Sequence, residues 1–147
     1  INPKDLQTFY LGIILHNPGY QSVTVNVLQA ATALTQDAPY TVLPNYVENP
    51  DNTVYSGPGD RISLDILQNQ RQTEFPARLI IPPRQYRMLL NHPMPVRNAA
   101  RYLNGRSTLM RLQSNGKVYA ASLAAFAKKN SDGSDRAPTV EEWVSLL

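Results

Sequence analysis

The side chains in this chain best suited to binding chemistry are arginines. Arg71, Arg78, Arg84, Arg87, Arg97, Arg101, Arg106 and Arg111 all fall between positions 71 and 111, with Glu74 the one acid among them. The segment carries a net charge of +7 in a chain whose total is +3. The remainder is therefore net acidic, and the charge is segregated along the sequence. A guanidinium presents a planar fork of donors that matches carboxylate, sulfate or phosphate. The segment has two readings. In one, the arginines flank turns and cover a sheet face with their aliphatic stems. In the other, Arg84, Arg87, Arg101, Arg106 and Arg111, with Tyr86 and Tyr102, form a surface that binds a polyanion or a partner. Nucleic acid is the least favoured polyanion, because it calls for a recognition helix or for more aromatics interleaved with the basic residues.

Groups suited to bond-breaking are scarce. His16 precedes Asn17-Pro18-Gly19 and His92 lies between Asn91 and Pro93, and neither has a second ligand at metal spacing. The acids are scattered, with no pair that the strand pattern places on adjacent inward positions. Asp60 and Glu142 read as helix caps. Residues 130–135, NSDGSD, have the oxygen-rich look of a cation loop, but they lack the alternating ligands and closing glutamate of an EF-hand and read as a polar turn. No serine stands in G-x-S-x-G, and SGPGD is a turn before a helix, not a phosphate loop. The expectation is a non-enzymatic protein without metal or cofactor. The absence of cysteine excludes disulfides and thiolate sites and leaves the redox compartment open.

The elements that would position these residues are short. Twelve prolines against seven glycines in 147 residues imply stiff connections. Residues 8–16 are apolar on both alternating faces, as in a strand covered on both sides. Asn17-Pro18-Gly19 then turns the chain, and Val23, Val25 and Val27 alternate with Ser22, Thr24 and Asn26. This predicts a hairpin with one dry and one wet face. Residues 35–59 read as a long loop. GDRISLDILQNQRQ reads as a short helix capped by Asp60, with Ile62, Ile66 and Leu67 on one side. Two short strands flank Pro82-Pro83. Asn115-Gly116 between apolar runs predicts a type I′ hairpin. Leu109, Arg111 and Gln113 share one face of its first strand, while Thr108, Met110 and Leu112 share the other. Thr139 with Glu142 forms a capping box, and Val140, Trp143, Val144 and Leu147 follow at helical spacing, giving a C-terminal helix from about 139. The sum is a mainly β protein: one β-sandwich domain of short antiparallel strands over 1–147 with one or two short helices.

Four strings, YLGIILHNPG, YVENPDNTVYSGPGDR, IPPRQYRMLLNHPMPVR and LNGRSTLMRLQSNGKVYAASLAAFA, resemble a mainly cyanobacterial family of secreted or envelope proteins known only as a domain of unknown function. The resemblance runs from about Leu6 to Trp143. It implies an exported protein and a longer chain of which this is a part, and it carries no activity and no catalytic residues. An apolar start and an end inside a helix agree with a chain cut at both ends. No apolar run is long enough to cross a bilayer as a helix.

Together these readings favour a non-catalytic, extracytoplasmic association module of the cell envelope. It would pair with itself or with other envelope proteins, for instance as a filament or surface-layer subunit completed by a neighbour's strand. The alternative is a carbohydrate- or polyanion-binding module that uses the arginine and tyrosine surface, with acidic polysaccharide as its partner. Ten arginines, four lysines and eight tyrosines suit either reading, since arginine and tyrosine are enriched at interfaces.

Overall fold

The computed structural model of the protein describes residues 7–36, 48, 58–95 and 103–147. Its elements are β1 (Phe9–His16), β2 (Val23–Gln36), α1 (Pro58–Leu67), β3 (Arg78–Ile81), β4 (Tyr86–Met94), β5 (Leu103–Ser114), β6 (Tyr119–Phe126), β7 (Lys128–Lys129), β8 (Asp135–Arg136) and α2 (Val140–Val144). Six strands form two antiparallel sheets, β4-β1-β6 and β3-β2-β5, and β7 with β8 makes a small separate ribbon.

The valine alternation after Ser22 marks a dry face, as its period predicts. Val23, Val25 and Val27 are buried together with Leu15, Phe75, Ile81, Leu89 and Leu90, so one core is built from both sheets. The fold is thus mainly β and sandwich-like. The β1 strand is covered on both sides. In antiparallel pairing opposed residues share a face, and the register sets Leu11, Ile13 and Leu15 toward the core. On the reverse face α2 lays Trp143, which is fully buried, against Gly12.

The expected hairpins are corrected. β1 and β2 lie in different sheets, and so do β5 and β6. The links Asn17–Ser22 and Asn115–Val118 are arches that carry the chain across the sandwich, and Pro82–Gln85 does the same between β3 and β4. Period-2 alternation shows which face of a strand is dry. It does not show whether the next strand lies beside it or across the core from it. Asn115-Gly116 was expected to be a type I′ turn, yet neither residue has positive φ. Glycine serves a different purpose here, because a Cβ on Gly116 would lie 2.9 Å from Val23 Cγ2. Asn115 locks the crossing, its amide donating to the Thr24 carbonyl (3.1 Å) and its side-chain oxygen accepting from the Thr24 amide (2.8 Å).

Of the stretch expected to be loop, 35–59, the ends belong to β2 and α1, and the remainder lies outside the described residues apart from Glu48. Helix α1 begins at Pro58, which suits proline at a first turn, and this places Asp60 inside the first turn instead of at the cap. The C-terminal capping box forms as expected. The Glu142 amide donates to Thr139 Oγ1 (3.3 Å), and the Thr139 amide donates to Glu142 Oε2 (2.8 Å). Residues 130–135 close the β7–β8 ribbon, with an Asp132 oxygen accepting from the Ser134 amide and hydroxyl.

Candidate functional site

All three arches lie at one end of the sandwich, because β1, β3 and β5 run toward it and β2, β4 and β6 run away. Asn17, fully buried, holds two of them together. Its Nδ2 donates to the carbonyls of Gln21 (2.7 Å), Ile81 (3.0 Å) and Pro82 (3.2 Å), and its Oδ1 accepts from the Gly19 amide (2.9 Å). The Asn17 amide donates to the Gln85 carbonyl (3.1 Å), a further bond between the same two arches. Arg84 sits at the tip with φ 59°, a conformation that a non-glycine residue adopts at some cost in strain. Its guanidinium donates to the Pro18 carbonyl (2.7 Å) and lies 5.8 Å from the centre of the Tyr20 ring.

Of the seven residues singled out in the sequence, the structure brings three together here. Arg84, Tyr86 and Arg87 line one wall of a groove of about 590 Å³, and Val140, Glu141, Val144 and Ser145 from α2 line the other. Behind the groove, cross-strand register aligns Tyr86 with His16 and His16 with Tyr119. The rings stack, with centroids 4.3 Å and 6.4 Å apart, and Lys117 Nζ caps the row 4.9 Å from Tyr119. The Arg87 guanidinium donates to the neighbouring Tyr86 carbonyl (3.0 Å).

The other singled-out residues do not join this groove. Arg106 and Arg111 stand on opposite faces of β5. Arg111 is exposed on the outer face beside Leu109, whereas Arg106 is turned inward, toward the far end of the sandwich. There Arg106 donates to the Pro93 carbonyl (3.1 Å) and to Thr32 Oγ1 (3.0 Å). Burial lowers its pKa and Glu74 opposes the shift. His92 occupies the same polar nest, 3.9 Å from Glu74, with Nδ1 buried and without a partner. Burial and then Arg106 push its pKa down, against a smaller pull upward from Glu74. Arg101 and Tyr102 lie outside the described residues.

A second surface was not visible in the sequence. On the β3/β4 flank the inward side chains Ile81, Leu89 and Leu90 are buried. On the β5/β6 flank, among the described residues, the sandwich stands open. Phe126 faces the same way as Phe9 and stacks on it at 4.3 Å, yet remains 43% exposed, and inward-facing Leu112 is 39% exposed. Ala120, Ser122 and Ala124, on the same face of β6, are exposed as well. The edges differ in the same sense. β3 has four residues, and β4 carries Pro93 and pairs with β1 through an irregular register. β6 is an edge of eight residues, YAASLAAF, without charge, proline or register shift. Such an edge is a template for further pairing. An uncharged eight-residue run of small and apolar residues was the available sequence signal, but the exposure of its inward face depends on strand order.

Among the described residues no cluster of three or more His, Asp or Glu gathers as a metal site, and no helix is long and apolar enough to cross a membrane. These features define a class: a sandwich of two three-stranded sheets joined by arches, with one closed flank, one open flank and a basic groove at the arch end. The chain belongs to the family described as "Protein of unknown function (DUF3370)", whose model matches residues 1–147. No curated protein and no solved structure matches it.

Proposed function

We propose that this protein is a non-catalytic association module of the cell envelope, and that its β6 edge pairs with the β6 edge of another copy. The observation that carries this reading is the contrast between the flanks: among the described residues β6 is unprotected and its inward side chains are exposed, while the β3/β4 flank is closed. A strand added at β6 would pair its free backbone groups and lie over Leu112, Ala124 and Phe126. A second copy suits the edge because β6 against β6 opposes no like charges, whereas β5 against β5 would bring Arg106 and Arg111 together. Other envelope proteins offering an uncharged strand are the secondary partners. The extracytoplasmic, cyanobacterial setting is supported by the sequence resemblance to exported proteins and belongs to the same proposal.

Ala124→Lys tests the pairing. The position is exposed, so the fold tolerates the change, and in a β6–β6 pair the lysine charge enters the seam. The expected outcome is that light scattering finds the wild type associated and the variant monomeric, with a far-UV circular dichroism spectrum that shows the fold retained. A wild type that stays monomeric at high concentration contradicts the proposal.

A further inference from the structure

The groove between α2 and the start of β4 plays no part in pairing through β6, and its chemistry is specific. Its 590 Å³ lies within the range of roughly 300–1,000 Å³ usual for small-molecule sites. On the strand side the groove is lined by Arg84 and Arg87, whose guanidiniums donate to main-chain carbonyls. Neither is in a salt bridge among the described residues. Arg84 is held in place by the Pro18 carbonyl and the Tyr20 ring, so a carboxylate arriving there meets an ordered donor and not a mobile one.

The helix side has the opposite character. Glu141 presents a carboxylate whose pKa lies below its ordinary value, held there by hydrogen bonds from its own backbone amide and from Thr139. Ser145 already donates its hydroxyl proton to the Glu142 carbonyl (2.7 Å), which leaves its oxygen free to accept. Between the two sides lie Val140, Val144 and Tyr86.

A ligand that satisfies this arrangement carries one anionic group for the arginines, hydroxyls that donate toward Glu141 and Ser145, and C–H surface for the valines. We infer that the groove binds a carboxylated sugar unit, a hexuronate within an acidic oligosaccharide, through Arg84 and Arg87 with Glu141 and Ser145 orienting its hydroxyls. A bare phosphate or sulfate fits less well, because Glu141 would repel it and the valines would have nothing to cover.

The probe is a galacturonate trimer, titrated by calorimetry against the Ala124→Lys protein so that self-association does not enter the reading. Arg84→Asn, chosen because asparagine tolerates positive φ, and Arg87→Gln should each weaken binding about tenfold or more. Binding should fall as salt rises, and the neutral galactose trimer should not bind. Glu141→Gln separates a sugar site from a plain anion site. It should weaken the trimer severalfold, since one of two charged acceptor oxygens for hydroxyls becomes an amide donor, whereas at a plain anion site removing the negative charge strengthens binding. Absence of trimer binding, binding indifferent to both arginine variants, or tightening in Glu141→Gln overturns the inference. None of these results bears on pairing through β6.

Discussion

Replacing Asn17 with Ala would leave the carbonyls of Ile81, Pro82 and Gln21 without the amide that now serves all three, in a place where Asn17 itself has no exposure. Lost hydrogen bonds and buried unsatisfied acceptors together cost about 3 kcal/mol. Urea denaturation should register that loss, and retention of wild-type stability would show that water takes the place of the side chain. Glu142 gives a prediction in pH. Two hydrogen bonds from Arg136 (2.7 and 2.8 Å) and one from the Thr139 amide hold its pKa down at about 2, against an ordinary value of 4.5. A carboxyl more acidic in the folded state stabilises the fold fully above pH 4.5, and that contribution is lost as pH falls from 4.5 toward 2. Glu142→Gln should therefore flatten the stability profile within that window and leave its shape near neutral pH unchanged. An unaltered acid limb in the variant would assign the acid sensitivity to other groups.

Helix α2 has only five residues, and its stability comes from its cap and from docking, not from helix propensity. The docking point is Gly12 in the middle of β1. A Cβ there would lie 2.8 Å from two atoms of the Trp143 ring and 3.0 Å from Met88 Cε, while Asn91 accepts from the indole nitrogen (3.3 Å) and donates to the Pro138 carbonyl (2.9 Å). Gly12→Ala should thus displace the ring and cost about 1–3 kcal/mol as an overpacked contact. Trp143 is the chain's one tryptophan, so a red shift in its emission would report the displacement directly. An unchanged spectrum would mean that the helix shifts as a unit. The same elements show what the sequence made legible. The capping box at Thr139, the valine face of β2 and the strands around Pro82-Pro83 depend on neighbours within a few residues, and each stands where it was expected. The arches at Asn17 and Asn115 were read as hairpins because the choice between pairing beside and crossing over is made by distant strands. Likewise Arg84, Tyr86 and Arg87 line one groove because they fall within four residues, where the Pro82–Gln85 arch enters β4. Arg106 and Arg111 are parted by the pleat of β5, and His16 and Tyr119 join Tyr86 through a register that spacing does not reveal.

For the molecule as a whole, the asymmetry of the sandwich determines what it can do. The chain closes the β3/β4 flank with short or irregular edges, and the segment between α1 and β3 continues that side of β2 through the bonds from Ala30 to the Gln70 carbonyl and from Gln72 to the Ala30 carbonyl (3.2 and 2.9 Å). Among the described residues β6 is uncharged and unpaired on its outer edge, a state that natural sheets avoid unless the edge is used. The arch-end groove is lined by the Pro82–Gln85 arch, the start of β4 and α2 and by no residue of β6, so pairing through β6 engages none of its lining. Amide hydrogen exchange of β6, followed as protein concentration is raised, tests the central claim most directly. Pairing between copies predicts that amides in Tyr119–Phe126 become protected as concentration rises, that those of β4 do not change, and that Ala124→Lys abolishes the effect. Exchange in β6 that is independent of concentration, with β6 as accessible in the wild type as in the variant, would contradict it.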